Sequence, residues 1–245
     1  MKSPIHLAFV LAAFALAGVL PASAALLTNT ANYSPNLLIP DGSALGVADS
    51  HTFATAITTI TEVRVTLEIA GDASNDGPLA TPGAFNGDYY AYLTHSSGFA
   101  VLLNRAGRTV LNPFGYADSG FLVTFDDTPG SPDIHNYQLL NNPAGGELTG
   151  TWGSDGRNVN PATALETSPR TATLTSFTGL DPNGVWTLFV ADVSPVGEGR
   201  LLSWQLEVTG NAVAASVPEP GSALAGLLTI GMVLANGRGR RRARG

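Results

Sequence analysis

Few residues in this chain have the type and spacing to do chemistry. Setting aside the two ends, the body carries His51, His95 and His135, eighteen carboxylates and no cysteine. A hydrolytic centre needs a nucleophile, a base and a group that orients the base. No Gly-x-Ser-x-Gly elbow occurs, and His95-Ser96-Ser97 falls in what reads as a hairpin tip. Zinc is equally ill served, with no His-x-x-x-His pair and no thiol. Two carboxylates can build a glycosidase, but eighteen always offer some pair, so their number alone points to nothing. Calcium is the better-supported ligand. Asp118, Asp126 and Asp127 flank one short strand-like segment, Asp88 opens another and Asp192 ends a third. Oxygens gathered at one rim of a β-sandwich, completed by loop carbonyls, suit that ion. Asp118, Asp126 and Asp127 are its expected ligands, the alternative being turn aspartates that hold local loops.

The aromatics offer a second kind of site. On a strand, Tyr90 and Tyr92 share one face, while Tyr89 points the other way with Ala91 and Leu93. An exposed tyrosine pair can stack on sugar rings. Trp186 and Trp204 read as core, whereas Trp152, beside a glycine-rich loop, is the tryptophan expected at the surface.

These residues sit on a chain whose period is that of strands. Val63, Val65, Leu67 and Ile69 alternate with Arg64, Thr66 and Glu68, the pattern of a strand with one face buried. Leu202, Trp204, Leu206 and Val208 read as a second such face. Strands are also expected at Leu37–Ile39, His51–Thr55, Asp88–Thr94, Phe99–Asn104, Phe121–Phe125, Glu147–Trp152 and Val185–Asp192, with a brief element at Ile134–Leu140. Residues 153–170 look like a long excursion broken by Asn160-Pro161 and Ser168-Pro169. Short strands separated by Gly/Pro turns argue for an all-β, jelly-roll-like antiparallel β-sandwich. Its span is residues 50–210, after an irregular lead-in at 25–49. Between Ala25 and Ala215, six basic residues face eighteen acidic ones, a net charge of −12. That sign opposes nucleic-acid binding.

The ends carry targeting patterns. Lys2 precedes an apolar run from Leu7 to Leu20, and Ala22 and Ala24 give signal peptidase its small residues, so residues 1–24 read as a signal peptide. At the other end, Val217, Pro218, Glu219 and Pro220 fall in a linker at 211–222. The segment 223–245 follows: a short apolar run from Ala223 to Ala235, then Arg238, Arg240, Arg241, Arg242 and Arg244. The run is shorter than the ~20 residues of a comfortable span, and the arginines hold to the cytoplasmic leaflet.

This three-part tail resembles the PEP-CTERM sorting signal of bacterial envelope proteins. The resemblance implies an exosortase partner, a transient inner-membrane intermediate and final release to the cell surface or outside it. An ordinary membrane tail anchor is the alternative. The body is similar to a second family. Gly87-Asp88-Tyr89-Tyr90-Ala91-Tyr92-Leu93 resembles the opening of the P domain of subtilisin-like proprotein convertases. Asn183-Gly184-Val185-Trp186-Thr187-Leu188, Asp192 and Gly199-Arg200-Leu201-Leu202-Ser203-Trp204 resemble its closing strands. The likeness implies a jelly roll, but no subtilisin-like catalytic sequence precedes it here. The expected function is therefore that of a non-catalytic surface or matrix protein binding polysaccharide or protein. A glycan-active hydrolase or lyase is the alternative from another class, and an accessory module of a separate secreted protease is a third.

Overall fold

The computed structural model describes residues 24–71, 83–96 and 98–212. Ala24 is the first of them; Ala22, the sorting motif Val217, Pro218, Glu219 and Pro220, and the arginine-rich end lie outside the described residues.

Among the described residues the fold is all-β, ten strands in two sheets that share one core. Two fourteen-residue strands, β4 (Ile57–Ala70) and β10 (Gly199–Ala212), form the spine of the larger sheet and pair antiparallel from Arg200↔Ala70 to Ala212↔Ile57. β1 (Ala25–Tyr33) and β2 (Leu37–Ile39) both pair with β10. Beyond β4 come β7 (Phe121–Asp126) and β8 (Leu148–Trp152). The smaller sheet has the order β3 (Val47–Phe53), β9 (Gly184–Asp192), β5 (Tyr89–His95), β6 (Gly98–Asn104). Alternation puts Val65, Leu67, Phe121 and Trp204 of one sheet against Leu93, Trp186, Leu188 and Val190 of the other, all buried. Each such side chain contributes roughly 1.5–3 kcal/mol by leaving water.

Four features depart from the sequence reading. The lead-in is not irregular: Ala25–Tyr33 is a full edge strand, its exposed Thr28, Thr30 and Asn32 alternating with Leu27, Ala31 and Tyr33, which pack on the core. The sandwich is not wholly antiparallel, because β8 runs parallel to β7. The intervening chain, with a 3-10 turn at Ile134–Leu139, crosses back before β8 begins. A bulge between Leu201 and Ser203 turns Leu201, not Leu202, inward beside Trp204. Finally, Trp152 is buried, its indole N–H donating to Thr149 O at 3.0 Å and its ring edge-on to Tyr137. β8 points Leu148 and Trp152 inward and leaves only its middle exposed.

Candidate functional site: an aromatic groove on the smaller sheet

The side chains of β5 divide between two environments. Tyr89, Ala91 and Leu93 enter the core, while Tyr90 and Tyr92 stand half-buried on the outer face. The pairing of β5 with β9 sets Tyr92 opposite Phe189. Their rings stack at 4.7 Å and 15°, Tyr90 lies 5.8 Å from Tyr92, and Phe99 of β6 adds a ring 5.3 Å away. Burial, with a smaller contribution from Tyr92, raises the Tyr90 hydroxyl above its ordinary value, so it stays a neutral hydrogen-bonding group.

Two irregular segments flank this platform. On one side is the turn carrying Ala44 and Leu45, the latter 88% exposed. Gly46 closes that turn at φ +51, with Gly46 N–H donating to Ser43 O, and the chain lies so close to the sheet that a Cβ would sit 2.3 Å from Val190 O and 2.7 Å from Phe189. On the other side are Asn160, Pro161 and Ala162 from the 153–170 excursion. The groove between them has a volume of about 590 Å³, with Arg105 and Val193 among the residues that line it.

The excursion keeps its place without regular structure because buried ions hold it. The Arg157 guanidinium bonds the Asp133 carboxylate at 2.7 Å and reaches Asp155 at 3.3 Å. Asp155 in turn meets His135 Nδ1 at 2.8 Å. Arg157 also donates to the carbonyls of Leu165 and Glu166, and Arg170 to those of Ser154 and Asp155. Asn104, at the end of β6, donates to Arg157 O and Val159 O and so ties the excursion to the sheet.

The three aspartates expected to bind calcium do not converge, and among the described residues no group of three His, Cys, Asp or Glu is placed to hold a metal. Each is spent on its own neighbourhood. Asp118 accepts from Tyr137 Oη, Gln138 Nε2 and Gly145 N. Asp126 pairs with Arg64 across the strands and accepts from Thr128 N. Asp127 accepts from Ser154 N and Oγ and from Leu174 N, fixing the start of the 3-10 turn Leu174–Phe177. The histidines are likewise structural in their contacts. His95 lies flat on Trp186 at 4.2 Å with both ring nitrogens at carbonyls of Val185 and Asp181. His51 stacks on Tyr33 and meets Asp49, and His135 is enclosed beside Asp155. Among the described residues none of the three bonds a hydroxyl that could serve as nucleophile.

A further carboxylate pair lies at one end of the sandwich, where β5 begins and β9 ends. Asp88 and Asp192 are 3% and 0% exposed. Burial pushes Asp88 up to about 6 against the pull of Arg105, and pushes Asp192 up to about 7, helped by the charges of Asp88 and Asp41. The sequence hinted at this pair only through its position at strand ends. Phe189 and the two flanking segments carried no such signal, since the register and the ion cluster that bring them to Tyr92 are long-range.

No known family's sequence profile matches the chain, and no curated protein does. Among solved structures, the chain is similar to a serine protease of Aeromonas sobria, determined alone and in complex with the chaperone. Each comparison has a TM-score of 0.41 and 15% identity, covering 76% of this chain and 27% of that one. The match therefore spans about a quarter of the protease's length, and at this distance it bears on neither the activity nor the partners of this chain.

Proposed function

We propose that this is an exported bacterial surface or matrix protein whose β-sandwich binds polysaccharide in the aromatic groove and does no chemistry on it. The observation that carries the reading is the platform of Tyr90, Tyr92 and Phe189, open to solvent and walled on both sides. Flat apolar rings with hydroxyls at their edges match the apolar faces and hydroxyl rims of pyranose rings, and Asn160 adds a side-chain amide. The body's net charge of −12 favours neutral over acidic chains. The jelly-roll connectivity implied by the P-domain likeness belongs to the same proposal. So do export after Ala24 and processing by an exosortase at Pro218-Glu219-Pro220, and these rest on the sequence motifs.

The experiment is a panel of neutral and uronate-containing polysaccharides in affinity electrophoresis, with reducing ends assayed in parallel. Retardation by neutral chains without new reducing ends, lost in Tyr92→Ala, is expected. Release of reducing ends would establish the hydrolase instead. No retardation by any chain would remove polysaccharide as the ligand.

A further inference from the structure

The carboxylates of this fold fall into two kinds. At Asp118, Asp126 and Asp127 both oxygens of every side chain receive donors from the protein. At Asp192 one oxygen, Oδ1, accepts from Ser194 N at 3.1 Å, while the buried Oδ2 has no hydrogen-bond partner among the described residues. Tyr89 is its register partner across β5 and β9, so both side chains point into the same end of the sandwich. The phenol Oη of Tyr89 is also buried and without a partner. Two orphaned oxygens on paired residues are costly in a folded interior, where a lost hydrogen bond is not replaced by water.

Charge at this end is unbalanced as well. Asp88, Asp192 and Asp41 act on one another electrostatically. The cation among them is Arg105, 3.7 Å from Asp88 and already donating to the Gly87 and Pro113 carbonyls. Among the described residues, one guanidinium faces three carboxyl groups there.

We propose that this end of the sandwich binds one calcium-class divalent cation. Asp192 Oδ2 and Tyr89 Oη are its inner oxygens, Asp88 is the second carboxylate, and Asp41 contributes at longer range. Oxygens beyond hydrogen-bond reach of each other suit the two sides of one coordination shell, because calcium holds its ligands at about 2.3–2.6 Å and can separate two of them by up to roughly 5 Å. The donor set is all oxygen, which excludes soft metals. It is irregular and includes a neutral phenol, which calcium tolerates better than magnesium with its demand for a near-ideal octahedron. The site is separate from the groove's ring platform and does not depend on what the groove binds.

The test uses the full chain, stripped with EGTA and desalted. Calcium at 1 mM is expected to raise the Tm by about 5 °C, and magnesium at the same concentration by much less. The calcium shift is expected to vanish in Asp192→Asn, to shrink in Asp41→Asn, whose exposed position leaves folding intact, and to persist in Asp118→Asn. Terbium excited through tyrosine provides a reading that does not depend on stability. Emission that calcium displaces from wild type, and that falls at least tenfold in Tyr89→Phe, is expected. A wild-type Tm unmoved by calcium, as a water bridging the two oxygens would give, overturns the proposal. So does a calcium shift of full size in Asp192→Asn and Asp41→Asn.

Discussion

The outer faces of the two sheets are built from the same alternation and end as different surfaces. On the larger sheet the outward row of β4, Glu62, Arg64, Thr66 and Glu68, is closed by partners on neighbouring strands. Arg64 meets Asp126 and Glu207, Thr66 meets Thr124 at 2.9 Å, and Glu68 accepts from Ser203. This face is flat, polar and satisfied by itself. On the smaller sheet the outward row is aromatic, and two loops rise beside it instead of more strands. What separates the closed face from the proposed binding face here is therefore not strand content. It is whether the outward side chains find their partners within the sheet or are left for something else to cover.

The largest effect should come from removing what holds a groove wall in place. Asp155→Ala leaves Arg157 and His135 buried without their shared carboxylate, a loss of about 3–5 kcal/mol. A Tm drop of about 10 °C and abolished polysaccharide binding are expected in melting and affinity electrophoresis. Gly46→Ala attacks the other wall. It places a methyl against Val190 O at a positive φ, so destabilisation of about 2 kcal/mol together with loss of binding is expected. Tyr92→Ala sharpens the comparison, because it removes half of the stacked pair while the sheet stays intact. Binding should weaken at least tenfold, about 1.4 kcal/mol, in titration calorimetry. Its counterpart on the larger sheet, Thr66→Ala, should leave binding unchanged and shift stability by no more than about 0.5 kcal/mol.

Acid should act on the same wall. Burial alone would raise the Asp133 carboxyl, but the hydrogen bonds and charge of Arg157 hold it below the ordinary 3.8. A depressed native value means that the stabilisation is fully present above pH 3.8 and is lost as the pH falls through the native value. Melting curves of wild type and Asp133→Asn should accordingly differ at neutral pH and converge below pH 4. A constant gap at all pH values would show that Asp133 contributes only through packing.

Much of this architecture was legible in the chain, and the reasons are local. β4 and β10 announce themselves because one residue in two is apolar over long runs, and β2 coincides with its expected span, Leu37–Ile39. β1 was hidden because an edge strand with a half-covered face mixes Thr and Asn into its pattern. The separation of Tyr89 from Tyr90 and Tyr92 follows from the strand period alone. Pairing Tyr92 with Phe189 needs the β5–β9 register, and placing Asn160 beside them needs the Arg157 cluster, neither of which a linear pattern contains. That Asp118, Asp126 and Asp127 each turn to partners of their own instead of to one another was hidden on the same ground. Strand-end aspartates are easy to see, but whether their oxygens are already taken depends on backbone N–H groups as far away as Leu174.

The contrast between the two faces is tested most directly by hydrogen–deuterium exchange of the protein with and without a retained polysaccharide. Protection over β5, β9 and the segments around residues 41–46 and 158–166, with unchanged exchange on β4 and β7, is the predicted result. Protection on the threonine and charge ladder of the larger sheet, with the aromatic groove unaffected, would contradict it.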